Sequence, residues 1–164
     1  VQALRLLSAL LDGGYSARIS EQLERGEELV SGASTSYDAY TRGDSLFTLS
    51  ATPNQQKKKT IAQAEAGLWR LLDELKAKPP TTEELERIRA QVIAGVVYQR
   101  DSITSQATAI GSLETVGLSW KLMDTELADL QSVTPEDIQK AARTYFTRER
   151  LSVAHVLPEE TAHE

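Results

Sequence analysis

The sequence contains no cysteine and only two histidines, His155 and His163. Without thiols, the chain has no disulfide bond, no thiolate nucleophile and no cysteine-ligated zinc or iron–sulfur cluster. Neither HxxEH nor HExxH occurs, and GxSxG and the glycine-rich phosphate-binding motifs are absent as well. His155 alternates with apolar residues, and we interpret it as a structural histidine. The sequence therefore predicts no catalytic residue and no metal ligand in this chain.

Basic charge and long apolar runs are also scarce. The 18 Lys and Arg residues are outnumbered by 24 Asp and Glu residues, which gives a formal net charge of −6. The densest basic cluster, Lys57–Lys59, is predicted as an exposed first helical turn, so we expect no nucleic-acid partner. No apolar run approaches the roughly 20 residues that a membrane-spanning helix needs, and no signal-peptide pattern opens the chain. Because the chain has no thiols, its cysteine content does not indicate whether it belongs to an oxidising or a reducing compartment.

The length and the apolar content are those of one domain. Hydrophobic residues make up 40% of the 164 positions, which is enough for a core. We predict a single domain over residues 1–158 and a flexible acidic tail over residues 159–164. Because the sequence opens in a helical pattern, without an initiator Met or a leading strand, we expect it to be a segment of a longer protein.

The stretch from Leu10 to Leu29 is predicted to stop one helix, start another and lead into a strand. Gly13 and Gly14 can adopt the left-handed backbone that ends a helix. Ser16 is predicted to cap the next helix, and Gly26 to end it. These residues predict a structural hinge and do not indicate a catalytic role.

Two alternating runs, residues 29–37 and 46–52, are predicted as strands joined by a polar turn. Ser31, Gly32, Ala33 and Ser34 make the first strand unusually rich in small residues, which favours either close packing or a surface that an extended chain approaches. A third strand is predicted over residues 151–157. The fold class is therefore α+β, with a mostly antiparallel sheet covered by helices.

Five further helices are predicted, beginning near Lys57, Thr81, Ile103, Trp120 and Thr134. Thr81 with Glu84, and Thr134 before Pro135, are typical helix starts. The apolar spacing places Val97 and Tyr145 on buried faces, and Arg87, Arg89 and Arg100 on a solvated one.

Two segments resemble a known family: LLSALLDGGYSARISEQLE near the start, and SVTPEDIQKAARTYFTRERLSVAHVLP near the end. They are similar to the C-terminal, non-catalytic domain of the inverzincin zinc metallopeptidases, the family of insulysin, pitrilysin and mitochondrial processing peptidase. The resemblance runs from Ala3 to Pro158. It implies a duplicated fold whose N-terminal half carries zinc on HxxEH, while the C-terminal half closes over the substrate. It also implies one strand or more ahead of Val1.

The resemblance also implies candidate site residues. Many relatives carry the pattern Leu-Arg-x-x-x-Gly-Leu-x-Tyr, whose Arg and Tyr reach the active site. Laid over LERGEELVS, it places Glu24 at the Arg position and Ser31 at the Tyr position, and both are departures. Arg25 is one step out of register, about 100° away on a helix. We take Glu24, Arg25, Ser31 and Ser34 as candidate substrate contacts.

The hinge is assigned to four residues of the same unit: Gly13, Gly14, Ser16 and Arg18.

The resemblance leaves two functions open. In one, the chain is the substrate-enclosing domain of a zinc endopeptidase that acts on peptides or unfolded segments. Its partners are then the N-terminal catalytic half, a homologous second subunit that supplies Arg and Tyr, and a peptide substrate. In the other, it is a non-enzymatic assembly module of the same architecture. Zinc is expected in the N-terminal half and no cofactor in this chain, and bacterial relatives favour the periplasm. An unrelated helical binding domain is a third interpretation.

Overall fold

The computed structural model describes residues 1–157, so the predicted tail, residues 159–164, lies outside the described residues. Six α-helices, two strands and three shorter or wider helices follow one another along the described chain. The α-helices are α1 (Gln2–Asp12), α2 (Ile61–Ala77), α3 (Thr82–Gln99), α4 (Ile103–Thr115), α5 (Leu122–Ser132) and α6 (Pro135–Tyr145). The strands are β1 (Val30–Tyr37) and β2 (Phe47–Pro53), with a π-helix at Ile19–Gly26 and 3₁₀ turns at Gln55–Lys57 and Arg148–Arg150. Among the described helices, none is long and apolar enough to cross a membrane.

Strands β1 and β2 form an antiparallel hairpin, which confirms the predicted α+β class. Tyr37 lies opposite Phe47 and Ala33 opposite Ala51, and the register shifts once, between Val30 and Gly32. One face of the hairpin packs on the core through Ala33, Tyr37, Phe47, Leu49 and Ala51. The hairpin thus has one face on the helices and one face away from them.

The core is centred on α1, whose leucines are buried almost all the way round. This helix contacts β1 on one side and α3, α5 and α6 on others, so its apolar surface is enclosed rather than shared with solvent. The largest fully buried side chains of the described chain are Leu6, Leu7, Leu10, Leu11, Ile19, Leu23, Leu71, Leu75, Leu85, Ile88, Leu130 and Ile138.

Helix starts follow the predicted capping chemistry in part. Thr134 and Asp137 cap each other's backbone ahead of α6, which confirms the prediction there. Thr81 accepts a hydrogen bond from the Glu84 N–H, but the Glu84 carboxylate does not complete the reciprocal box because it pairs with Arg18.

The predicted helical turn at Lys57–Lys59 is wrong. A 3₁₀ turn ends at Lys57, and Lys58 has a left-handed backbone with φ 54°. Helix α2 begins only at Ile61, after a capping box formed by Thr60 and Gln63.

The predicted third strand is also wrong for the described residues. Residues 151–157 form no sheet ladder, and Val156 is 92% exposed. A strand is defined by its neighbour, and the hairpin is the only sheet of the described chain. The alternation of apolar and polar residues therefore predicted an extended backbone, but it could not predict whether a neighbouring strand is present.

Two residues predicted on buried faces are half exposed, Val97 at 45% and Tyr145 at 48%. Helix α3 runs past the core beyond Val96, and at the end of α6 the next residue, Phe146, takes the core position and packs edge-on against Phe47.

Nor do the arginines of α3 form a purely solvated face. Arg89 donates to the Val133 carbonyl and Arg100 to the Met123 carbonyl, so both tie α3 to α5 and its ends. An arginine side chain can donate hydrogen bonds to backbone carbonyls of another helix while its methylene groups cover apolar surface. The apolar periodicity of the sequence does not predict which carbonyls accept these bonds.

Candidate functional site

Gly13 and Gly14 end α1 for two different reasons. The Gly13 N–H donates to the Ala9 carbonyl, and the φ of Gly13 is −81°, so the predicted left-handed conformation is wrong at this residue. A Cβ on Gly13 would instead collide with the Ala9 carbonyl group. Gly14 has φ 105°, as predicted for a helix-ending glycine, and nothing lies within 4 Å of the position that a Cβ would occupy.

The predicted cap at Ser16 is not formed. Arg18 occupies the N-cap position of the next helix, and no side chain caps that helix. The Ser16 carbonyl accepts a hydrogen bond from Arg87 Nη2 at 3.1 Å. Arg18 donates to both carboxylate oxygens of Glu84, at 2.8 and 2.9 Å. The turn after α1 is therefore held by the start of α3 rather than by its own serine.

The Arg18–Glu84 pair is mostly shielded from solvent and is electrostatically strong. The side chains are 16% and 20% exposed, respectively. The hydrogen bonds from Arg18 lower the pKa of Glu84, and this effect outweighs the opposing effect of burial. A pair with two parallel hydrogen bonds fixes the relative orientation of the guanidinium and the carboxylate, in addition to the attraction between their charges.

The helix that carries Glu24 and Arg25 is a π-helix. The Glu27 N–H donates to the Gln22 carbonyl, five residues back, and Glu28 leaves the helix with φ 49°. π-Helices are rare and are mostly single-turn bulges inside α-helices, frequently at functional sites, whereas this one spans eight residues.

This helix directs Glu24 and Arg25 to different places. Glu24 Oε1 accepts the N–H of Ala33 in β1 at 3.2 Å. Arg25 donates to the carbonyls of Tyr15 and Ser20, and its guanidinium lies 3.5 Å from the centre of the Tyr15 ring. The structure therefore brings Glu24, but not Arg25, against the strand that carries Ser31 and Ser34.

Ser31 and Ser34 belong to a surface of hydroxyl groups on the side of the hairpin away from the helices. Ser31 Oγ donates to the Thr52 carbonyl, and Ser34 lies opposite Ser50 in the register. We call this surface the hydroxyl face; all of its members are exposed: Ser31, Ser34, Ser36, Thr48, Ser50 and Thr52. It contains no charge, and each hydroxyl can both donate and accept a hydrogen bond.

The residues of the described chain do not fit a metal centre. Residues 1–157 contain no group of three His, Cys, Asp or Glu side chains placed to hold a metal ion. His155, predicted as a structural histidine, lies 3.4 Å from the Glu65 carboxylate through Nε2 and is half exposed. We therefore derive no chemical step through zinc in this chain.

Three residues near the site were not predicted: Asp12, Ser8 and Thr35. Asp12 Oδ2 accepts the Thr35 N–H at 3.0 Å, and the Ser8 and Thr35 hydroxyls lie 2.7 Å apart. The helix dipole disfavours an acid in the last turn of a helix. The position of Asp12 at the end of α1 could therefore have indicated that its carboxylate has a partner outside the helix.

The hairpin and its helices define a fold found in bacterial proteases. The chain is similar to a protease from Helicobacter pylori, with a TM-score of 0.80 and 21% identity, over 91% of this chain and 35% of that chain. It is similar to a "putative zinc protease" from Bordetella pertussis Tohama I, with a TM-score of 0.76 and 22% identity, over 91% of this chain and 80% of that chain. It is also similar to the inactive peptidase domain of a "putative zinc protease" from Bordetella parapertussis, with a TM-score of 0.79 and 22% identity, over 99% of this chain and 86% of that chain. At these identities the likeness shows the fold.

The family follows from the sequence. Residues 1–92, more than half of the chain, match the model of the family described as the peptidase M16 inactive domain. The chain belongs to this family, and the predicted resemblance is confirmed. A search of curated proteins gave no match. The chain spans about a third of the length of the Helicobacter pylori protease.

Proposed function

We propose that this chain is the substrate-enclosing, non-catalytic domain of a zinc-dependent endopeptidase that acts on peptides or unfolded segments. The match of residues 1–92 to an inactive peptidase domain carries this proposal. The zinc and the catalytic groups then belong to an N-terminal catalytic half. The lack of a fitting donor set in residues 1–157 is consistent with that division of labour.

The hydroxyl face is the surface that we assign to the substrate. An uncharged layer of short hydroxyl side chains lets an extended backbone approach closely, and it can exchange hydrogen bonds with any peptide group. Such a surface discriminates little between substrate side chains, as expected for an enzyme that cleaves unfolded segments of different sequence. Ser31 and Ser34 are its members on β1.

Glu24 and Arg25 have different roles in this proposal. Glu24 positions β1 by accepting the Ala33 N–H, and Arg25 donates to the carbonyls of Tyr15 and Ser20. Both side chains are therefore engaged within the domain, and we assign neither the substrate-holding role of the arginine in the family pattern. The Arg and Tyr groups of the family pattern then come from a homologous second subunit.

The test uses the chain joined to its natural N-terminal half. We expect about one zinc per joined protein, removable by chelation, and cleavage of an unfolded peptide when the second subunit is added. Replacing Ser34 by Tyr should lower kcat/KM by about tenfold by obstructing the hydroxyl face, with unchanged zinc content. The matched control is Thr104→Tyr on the exposed side of α4, which should leave kcat/KM unchanged.

Two results would contradict the proposal. A joined protein that holds no zinc and cleaves no peptide with any homologous subunit would favour the assembly module. Equal losses in Ser34→Tyr and Thr104→Tyr would show that the hydroxyl face has no special relation to the substrate.

A further inference from the structure

The outer edge of β1 is occupied although no strand lies beside it in the described chain. In an antiparallel pair, alternate residues direct their N–H groups toward the partner strand and away from it. Ala33 and Thr35 are two residues apart, and both N–H groups donate to side chains outside the sheet. Ser34 and Ser36, which alternate with them, therefore face β2 with their N–H groups.

The two acceptors are carboxylates from different elements. Asp12 Oδ2 lies 3.0 Å from the Thr35 N, and Glu24 Oε1 lies 3.2 Å from the Ala33 N. Asp12 ends α1 and Glu24 lies within the π-helix, so the two acids arrive from separate helices. Their convergence on consecutive outward N–H groups is a property of the fold and not of one local turn.

We propose that Asp12 and Glu24 form a two-carboxylate clamp that closes the outer edge of β1 against pairing with β1 of a second copy of this chain. The inference goes beyond the proposed function and does not depend on it.

The strand itself has little other protection, and its one register shift lies at its start, between Val30 and Gly32. Exposed edges are normally blunted by Lys, by Pro or by inward-pointing charges, and Val30–Tyr37 contains none of these. Its side chains away from the core are small and polar: Ser31, Ser34 and Ser36. A second β1 is thus a chemically suitable partner, since its small side chains would allow close antiparallel approach.

A carboxylate is a suitable closing group because it only accepts hydrogen bonds. It satisfies the N–H of the edge and offers no donor with which a ladder could continue. A second strand would have to displace two charge-assisted hydrogen bonds at once, and these are stronger than the neutral bonds that would replace them.

The experiment compares the full chain with its Asp12→Ala/Glu24→Ala variant by amide hydrogen exchange and by sedimentation equilibrium. In the variant at low protein concentration, exchange at the Ala33 and Thr35 amides should rise by about tenfold or more, while exchange at Ser34 and Ser36 stays slow. At high concentration the variant should form dimers, and exchange at Ala33 and Thr35 should become slow again. The wild-type chain should remain monomeric.

Two control variants separate the hydrogen bonds from the charge. Glu21→Ala removes an acid from the exposed side of the same π-helix and should leave the chain monomeric. Asp12→Asn/Glu24→Gln keeps an acceptor oxygen at both positions, so exchange at the Ala33 and Thr35 amides should stay slower than in the double-alanine variant. If these amides exchange as fast as in the double-alanine variant at low concentration, the hydrogen-bonded clamp is refuted.

A folded, monomeric Asp12→Ala/Glu24→Ala variant with fast exchange at Ala33 and Thr35 would overturn the proposal, because the edge would then be open without pairing. If the double variant does not fold, Glu24→Ala alone frees only the Ala33 N–H. Faster exchange at the Ala33 amide than in the wild type supports the clamp, since Asp12 still holds the Thr35 N–H and the variant stays monomeric. Unchanged exchange at Ala33 refutes it, because the Glu24 carboxylate then does not close the edge.

Discussion

Replacing Gly13 by Ala should destabilise the domain more than the same change at Gly14. An added Cβ at Gly13 would lie 2.9 Å from the Ala9 carbonyl carbon and closer still to its oxygen. These are backbone atoms of the last turn of α1 and cannot rotate away. The clash resembles overpacking, at about 1–3 kcal/mol, and it breaks the Gly13–Ala9 hydrogen bond, at about 1 kcal/mol. We expect a total loss of about 2–4 kcal/mol.

Gly14 and Gly32 provide the matched comparison. Nothing lies within 4 Å of a Cβ at either residue, but Gly14 has φ 105° and Gly32 has no positive φ. Gly14→Ala should therefore cost about 1–2 kcal/mol from backbone strain alone. Gly32→Ala, without clash or strain, should change stability by less than about 0.5 kcal/mol.

Urea unfolding followed by circular dichroism measures all three changes in the free energy of unfolding, provided that the slope with denaturant stays constant. A loss at Gly13 smaller than that at Gly14 would refute the reasoning, because it would mean that the end of α1 yields to a methyl group at little cost.

Three further predictions concern the core, an ion pair and a cap. Leu10→Ala should lower the free energy of unfolding by about 2–5 kcal/mol, measured by urea titration, because this side chain is fully buried; a loss under about 1 kcal/mol would contradict a closed core. Since Arg18 lowers the pKa of Glu84, their pair stabilises the fold above the ordinary carboxyl pKa and less as the pH falls through the lowered value. Arg18→Met should thus be less stable than the wild type at pH 7, and thermal melts from pH 7 to 3 should show the two converging; a constant difference would refute this. Thr134→Ala should cost about 1 kcal/mol by urea titration through loss of the α6 cap, and an unchanged midpoint would refute the capping role.

Local chemistry was predictable wherever neighbouring residues determine it. The leucine spacing of α1, the φ of Gly14 and the cap at Thr134 each depend on a few adjacent side chains, and the structure agrees with all three. The π-helix was not predictable, because its residues also suit an α-helix.

Features that need a distant partner escaped the sequence. Arg18 pairs with Glu84 across 66 positions, which removed the acid from its predicted capping box, and Asp12 reaches Thr35 across 23 positions. Residues 151–157 show the reverse case, in which a strand pattern had no neighbour to pair with among the described residues. For the candidate site, the sequence indicated the small residues Ser31 and Ser34, but the hydroxyl face emerged only when β2 lay beside them.

The enclosure of α1 also constrains the order in which the chain can fold. Helix α1 is made before the other described elements, yet α6, which helps to cover it, is made more than 120 residues later. During synthesis the part of its apolar surface that α6 covers therefore stays exposed, or is covered by something else, until residues near Tyr145 have emerged from the ribosome. Contacts of such long sequence separation form slowly, so the nascent chain has a long period in which it can associate wrongly. Within the described chain, α1 is therefore a segment on which a chaperone that holds apolar helices would act.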